Sequence, residues 1–139
     1  MEIRISRPLL ATILARIAAS PDEEVCGLLL GGADAAGGAT VLAAPPVANV
    51  AEERGRRFEL DPAGLIAAHR AARGGGPAVL GHYHSHPSGD VSPSPRDAAM
   101  ALDEGALWLI GAPDGAHALW RAGRSGLHGR FVRCVLETR

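Results

Sequence analysis

The stretch over residues 78–97 restricts the fold more than any other part of the chain, because it reads as a strand, a short loop and a helix start in immediate succession. Gly74-Gly75-Gly76-Pro77 ends whatever helix precedes it, and Ala78, Val79 and Leu80 then open a strand that runs into Gly81-His82-Tyr83-His84-Ser85-His86. Pro87 cannot donate to a ladder and stops the strand. Ser94-Pro95 has the form of an N-cap and first-turn pair, so a helix begins there and reaches about Leu102. A loop this short folds the helix start back toward the end of the strand.

Alternation along that strand decides which side chains meet. Residues i and i+2 share a face about 6.6 Å apart, a gap that two imidazoles can close onto one ion at metal–nitrogen distances of about 2.1 Å. His82 and His86 stand roughly 13 Å apart, too far to share an ion with His84 between them. The nearby helix start favours His84 and His86, with Asp97 as third ligand and His82 as packing or outer support. Ser85 points to the opposite face and reads as packing. Two imidazoles and a carboxylate leave a fourth tetrahedral position for water, the pattern of a catalytic ion rather than a closed structural one. Ser94-x-x-Asp97 also reads as a helix cap with an acidic third position. Both readings hold together, since a cap would fix Asp97 rigidly.

The remaining elements surround this unit. Residues 6–19 form an amphipathic helix with Leu10, Ile13, Leu14 and Ile17 at helical spacing and Ser6 as N-cap. The apolar run 25–30, closed by Gly31-Gly32, suits a strand buried on both faces, and residues 40–44 continue as a second. Residues 45–57 read as a loop, 57–60 as a strand, and Asp61-Pro62 opens a helix to about Arg73. Residues 107–111 and 116–121 flank a Pro113-Asp114-Gly115 turn as a hairpin, and 130–136 form a last strand. The fold class is α/β in the α+β sense, a mixed sheet flanked by helices, in one domain over residues 1–139.

Composition narrows the partners. With 14 basic against 15 acidic residues and no basic run, neither a nucleic-acid groove nor an anionic membrane surface is the main partner. Apolar runs fall far short of the roughly 20 residues of a membrane span, so a cytoplasmic location is expected. Cys26 and Cys134 lack metal-type spacing and read as unlinked buried thiols.

Other histidine signatures fail. His-Glu-x-x-His is missing, the deaminase His-x-Glu is broken by His86, and a barrel amidohydrolase needs far more chain. By contrast, His84-Ser85-His86-Pro87, seven residues from His86 to Ser94, and then Asp97 resemble the JAMM (MPN-plus) motif. The segment from Glu24 through Val25-Cys26-Gly27 to Gly31 is similar to the one carrying that family's upstream glutamate. The resemblance implies a zinc isopeptidase or peptidase of cytidine-deaminase-like fold, of the stand-alone prokaryotic type, holding one zinc ion per chain. It implies His84, His86 and Asp97 as ligands, Glu24 as the base acting on water, and Ser94 as oxyanion donor. Glu24 rather than Glu23 follows from the family spacing, two before the cysteine; Glu23 reads as a surface charge. The implied partner is a ubiquitin-like or sulfur-carrier protein with a Gly-Gly C-terminus. Residues 49–58 lie where such a tail could run, although a plain surface loop is the better reading. A non-catalytic MPN scaffold is the competing class, and such domains typically lack the ligands present here.

Overall fold

A computed structural model describes residues 2–139. The strands are β1 (Ile3–Ile5), β2 (Cys26–Ala33), β3 (Ala39–Ala43), β4 (Pro46–Val47), β5 (Ala78–Ser85), β6 (Leu107–Gly111), β7 (His117–Leu127), β8 (Phe131–Cys134) and β9 (Leu136–Thr138). The helices are α1 (Arg7–Ala18), α2 (Pro62–Arg73) and α3 (Pro95–Met100). All strands join one mixed sheet in the order β8-β7-β6-β5-β2-β3-β1-β9, with β4 pairing the start of β2. β8 and β9 are separated in the chain by Val135 alone yet lie at opposite ends of that order, so the sheet curls until its edges nearly meet.

Strand alternation sorts the core into two faces. Leu107 and Leu109 of β6 and Tyr83 of β5 join Leu10, Ile13 and Ile17 of α1 in one cluster. Trp108 and Ile110 point the other way, into a cluster with Cys26, Phe58, Trp120 and Phe131. β5 pairs antiparallel with β2, placing Cys26 opposite His84, and parallel with β6, placing Ile110 opposite His84. Tyr83 turns toward α1, where its hydroxyl accepts from Arg16 at 3.1 Å. His82 and His84 therefore lie on the Trp108 face, away from α1. Gly81 permits this close pairing, since a Cβ there would fall 1.9 Å from the Leu107 carbonyl oxygen.

Several boundaries differ from the sequence reading. The strand expected at 57–60 shrinks to a single bridge between Asn49 and Leu60, because Asn49 and neighbouring carbonyls take up its hydrogen bonds. The last expected strand breaks at the 84 % exposed Val135 into two strands on opposite sheet edges. β1, β4 and β9 carry too few residues for a periodic signal and exist through long-range pairing. Both cysteines are free thiols; Cys26 is buried, but Cys134 on an edge strand is only half-buried. Burial pushes the Cys26 thiol up to about 12, which makes it inert. Among the described residues no helix is long and apolar enough to cross a membrane.

Candidate metal centre

β5 ends at Ser85, and the His86 amide extends its register by donating to the Gly111 carbonyl at 2.9 Å. This keeps His84 and His86 on one face. Their Nε2 atoms lie 3.1 Å apart, and Asp97 Oδ2 lies 3.2 Å from that of His86 and 3.5 Å from that of His84. Ligands about 2.0–2.1 Å from a tetrahedral ion are separated by about 3.4 Å along each edge. The three atoms thus form one face of a zinc-sized tetrahedron. His86 Nδ1 donates to the Asp90 carbonyl at 2.7 Å, so its Nε2 donates to Asp97 only while the ring is protonated, a form that contact with Asp97 favours, and presents a lone pair inward once that proton leaves.

Asp97 reaches this position because it closes α3. Ser94 Oγ accepts from the Asp97 amide at 3.1 Å, and Asp97 Oδ2 accepts from the Ser94 amide at 2.9 Å, a reciprocal capping box. A second carboxylate approaches the same imidazoles. Glu24, 6 % exposed, offers an oxygen to His84 and His86 in a cluster whose ligand atoms all lie within 4.8 Å of one another. Two buried imidazoles flanked by carboxylates fit a zinc ion.

Comparison with known proteins places the whole domain. Residues 6–123 match the family described as prokaryotic homologs of the JAB domain. The chain belongs to that family. Over 98 residues, 70% of this chain and 68% of the relative, it is 44% identical to a desampylase of Haloferax volcanii. A solution structure of a Desulfitobacterium hafniense protein shares the fold, with TM-score 0.84 and 23% identity over 99% of this chain and 92% of that one. A Salinibacter ruber protein, also solved in solution, superposes with TM-score 0.72 and 30% identity, covering 100% of this chain and 92% of its own.

In this JAB domain the two carboxylates have opposite proton affinities. Burial raises the Glu24 carboxyl from 4.5 to about 7; the Asp97 charge adds to the rise, while His86 and Arg96 oppose it. Burial would raise Asp97 as well, but hydrogen bonds from His84, His86 and the Ser94 amide outweigh it and hold that carboxyl far below the usual range. Burial also lowers His84 and His82. Hydrogen bonds favour the ionised form of one acid, while burial disfavours the charge on the other.

The surroundings place the other expected residues. His82 stays outside the convergence: its Nε2 lies 3.3 Å from His84 Nδ1, and its ring meets Trp108 edge-on at 4.3 Å. Phe58, which the sequence reading did not single out, stacks on His84 at 4.2 Å. A cavity of 690 Å³ lined by Phe58, Leu60, His69, Met100 and Trp108 opens beside His82 and not over the ligand atoms. Glu23 is an exposed side chain 3.9 Å from Arg54. Ser85 does more than pack, since its hydroxyl accepts from the Val25 amide at 2.8 Å and donates to the Glu23 carbonyl at 3.3 Å. Only the strand pairing reveals that, because residues 23–25 and 85 are about 60 positions apart in the chain.

Proposed function

We propose that this JAB-domain protein is a zinc-dependent hydrolase, acting as one domain over residues 1–139. It would cut the amide bond after the C-terminal glycine of a ubiquitin-like or sulfur-carrier protein. The observation that carries the reading is the convergence of two buried carboxylates, Glu24 and Asp97, on the ring nitrogens of His84 and His86. His84, His86 and Asp97 hold the ion. When bound, zinc would polarise the scissile carbonyl and acidify a water.

The chain's own residues supply the remaining steps. Glu24, whose carboxyl burial shifts upward, takes a proton as the water oxygen bonds to the carbonyl carbon. It returns the proton to the nitrogen as the carbon–nitrogen bond breaks, so the products are a carboxylate and an amine. Ser94 Oγ accepts from the Asp97 amide, which leaves its own proton free to donate to the developing oxyanion. The substrate class rests on the relative from Haloferax volcanii, whose name denotes removal of a small ubiquitin-like modifier.

The test is a panel of Gly-Gly-tailed proteins fused through their C-termini to a reporter. Cleavage after the second glycine should stop with chelator and return with zinc. Glu24→Gln should keep zinc and lose turnover by about 100-fold or more. Full turnover in that variant removes Glu24 as the base, and a wild-type chain with no affinity for zinc favours a binding scaffold instead.

A further inference from the structure

Glu24 occupies an awkward position for a proton carrier. It follows the turn over residues 20–23 and precedes β2, whose ladder starts only at Cys26, so no strand pairing fixes its own peptide groups. Those groups are held from the loop over residues 49–60. The Glu24 amide donates to the Arg54 carbonyl at 2.6 Å, and the Glu24 carbonyl accepts from Asn49 Nδ2 at 2.8 Å. The same Nδ2 donates to the Arg57 carbonyl at 3.1 Å, while Asn49 Oδ1 accepts from the Ala51 amide at 3.1 Å and the Glu59 amide at 3.0 Å.

A side-chain amide has two donor hydrogens and two acceptor lone pairs, and Asn49 uses all four. Nothing remains for a substrate, so Asn49 is neither a contact for a passing tail nor part of a plain surface loop. Three of its bonds tie the outgoing arm of the loop at Ala51 to the returning arm at Arg57 and Glu59 through a single side chain. The fourth attaches Glu24 to that assembly. Ser85 fastens the flanking peptides, Glu23 and Val25, from the opposite side. The backbone of Glu24 is thereby braced between the loop and the strand that carries the two histidines.

We propose that Asn49 is a positioning residue for Glu24, holding the carboxylate where it can exchange a proton with water at the centre. The proposal rests on the reading of Glu24 as the base. A displacement near 1 Å of a catalytic group costs about 100-fold in rate, while binding of the substrate body, which Asn49 does not touch, stays unchanged.

Asn49→Asp separates this role from loop integrity, because it keeps the acceptor oxygen for Ala51 and Glu59 and replaces the donor edge with an oxygen that repels the Glu24 and Arg57 carbonyls. Zinc content should match wild type, KM should move by less than about threefold, and kcat should fall by roughly 30- to 100-fold. In a Glu24→Gln background the same substitution should add no further loss. An unchanged kcat, a loss confined to KM, or a loss that persists undiminished in the Glu24→Gln background overturns the proposal. In unmutated protein, the Asn49 side-chain amide hydrogens should exchange with solvent as slowly as the ladder amides of β2, and rapid exchange would also overturn it. Wild-type turnover by Glu24→Gln alone sinks the base assignment, whatever Asn49 does, so the two failures are distinguishable.

Discussion

The two carboxylates at the centre are held in contrasting ways. Asp97 belongs to a unit local in sequence: strand end, proline, loop and helix cap place His84, His86 and Asp97 within 14 residues, and each contact is a consequence of strand period or capping geometry. Glu24 comes from a turn some 60 residues earlier and depends on side chains of two other segments, Ser85 and Asn49. The local unit is stabilised by its charge, through hydrogen bonds to Asp97. The distant one is left poorly solvated, and its charge is disfavoured. The Asp97 side of the centre is built from neighbours in sequence, whereas Glu24 is brought in by the tertiary fold.

The sharpest way to break this comparison is to remove the local unit. Asp97→Ala should abolish bound zinc and lower cleavage by more than about 1,000-fold, measured by metal analysis beside the fusion assay. Retention of stoichiometric zinc would mean that Glu24 can stand in as a ligand and that the two carboxylates are less distinct than their hydrogen bonds make them. A smaller effect is expected at Ser94, where hydroxyl and cap coincide. Ser94→Ala should reduce kcat by about 100-fold through the lost oxyanion donor and lower thermal stability by about 1 kcal/mol through the lost cap. A stability loss without any change in kcat would leave Ser94 with the cap alone.

The smallest effect tests the electrostatic contrast in metal-free protein. The folded-state value of Glu24, about 7, exceeds its ordinary 4.5, so its favourable contribution is present below about 4.5 and is lost as pH rises through 7. Glu24→Gln should therefore match wild type near pH 4 and exceed it above pH 7 by roughly 1–2 kcal/mol, allowing for residual screening by solvent. Asp97 has the opposite sign: its contribution is present above its ordinary 3.8 and is lost as pH falls further. Chemical denaturation across this pH range reads both. Equal pH dependence in the two variants would erase the distinction.

The same contrast governs what could be read from sequence. The convergence of His84, His86 and Asp97 was legible because period two, a strand-ending proline and a capping pattern act over short distances. Nothing local separates Glu24 from Glu23; the family resemblance chose between them, and the fold shows one buried against the imidazoles and the other exposed beside Arg54. Asn49 was visible only as a polar residue in a loop, since its four partners span residues 24–59. The helices and the β6–β7 hairpin followed from caps and turn residues, while β1 and β9 arise from parallel pairing that leaves no local trace.

The capping box of α3 has a thermodynamic corollary. The Asp97 oxygen that faces both imidazoles is the one that closes the first turn of a six-residue helix. An ion held at Asp97 would therefore add to the stability of that turn by mass action. Backbone amides over residues 94–100 should then exchange with solvent more slowly with zinc present than without it.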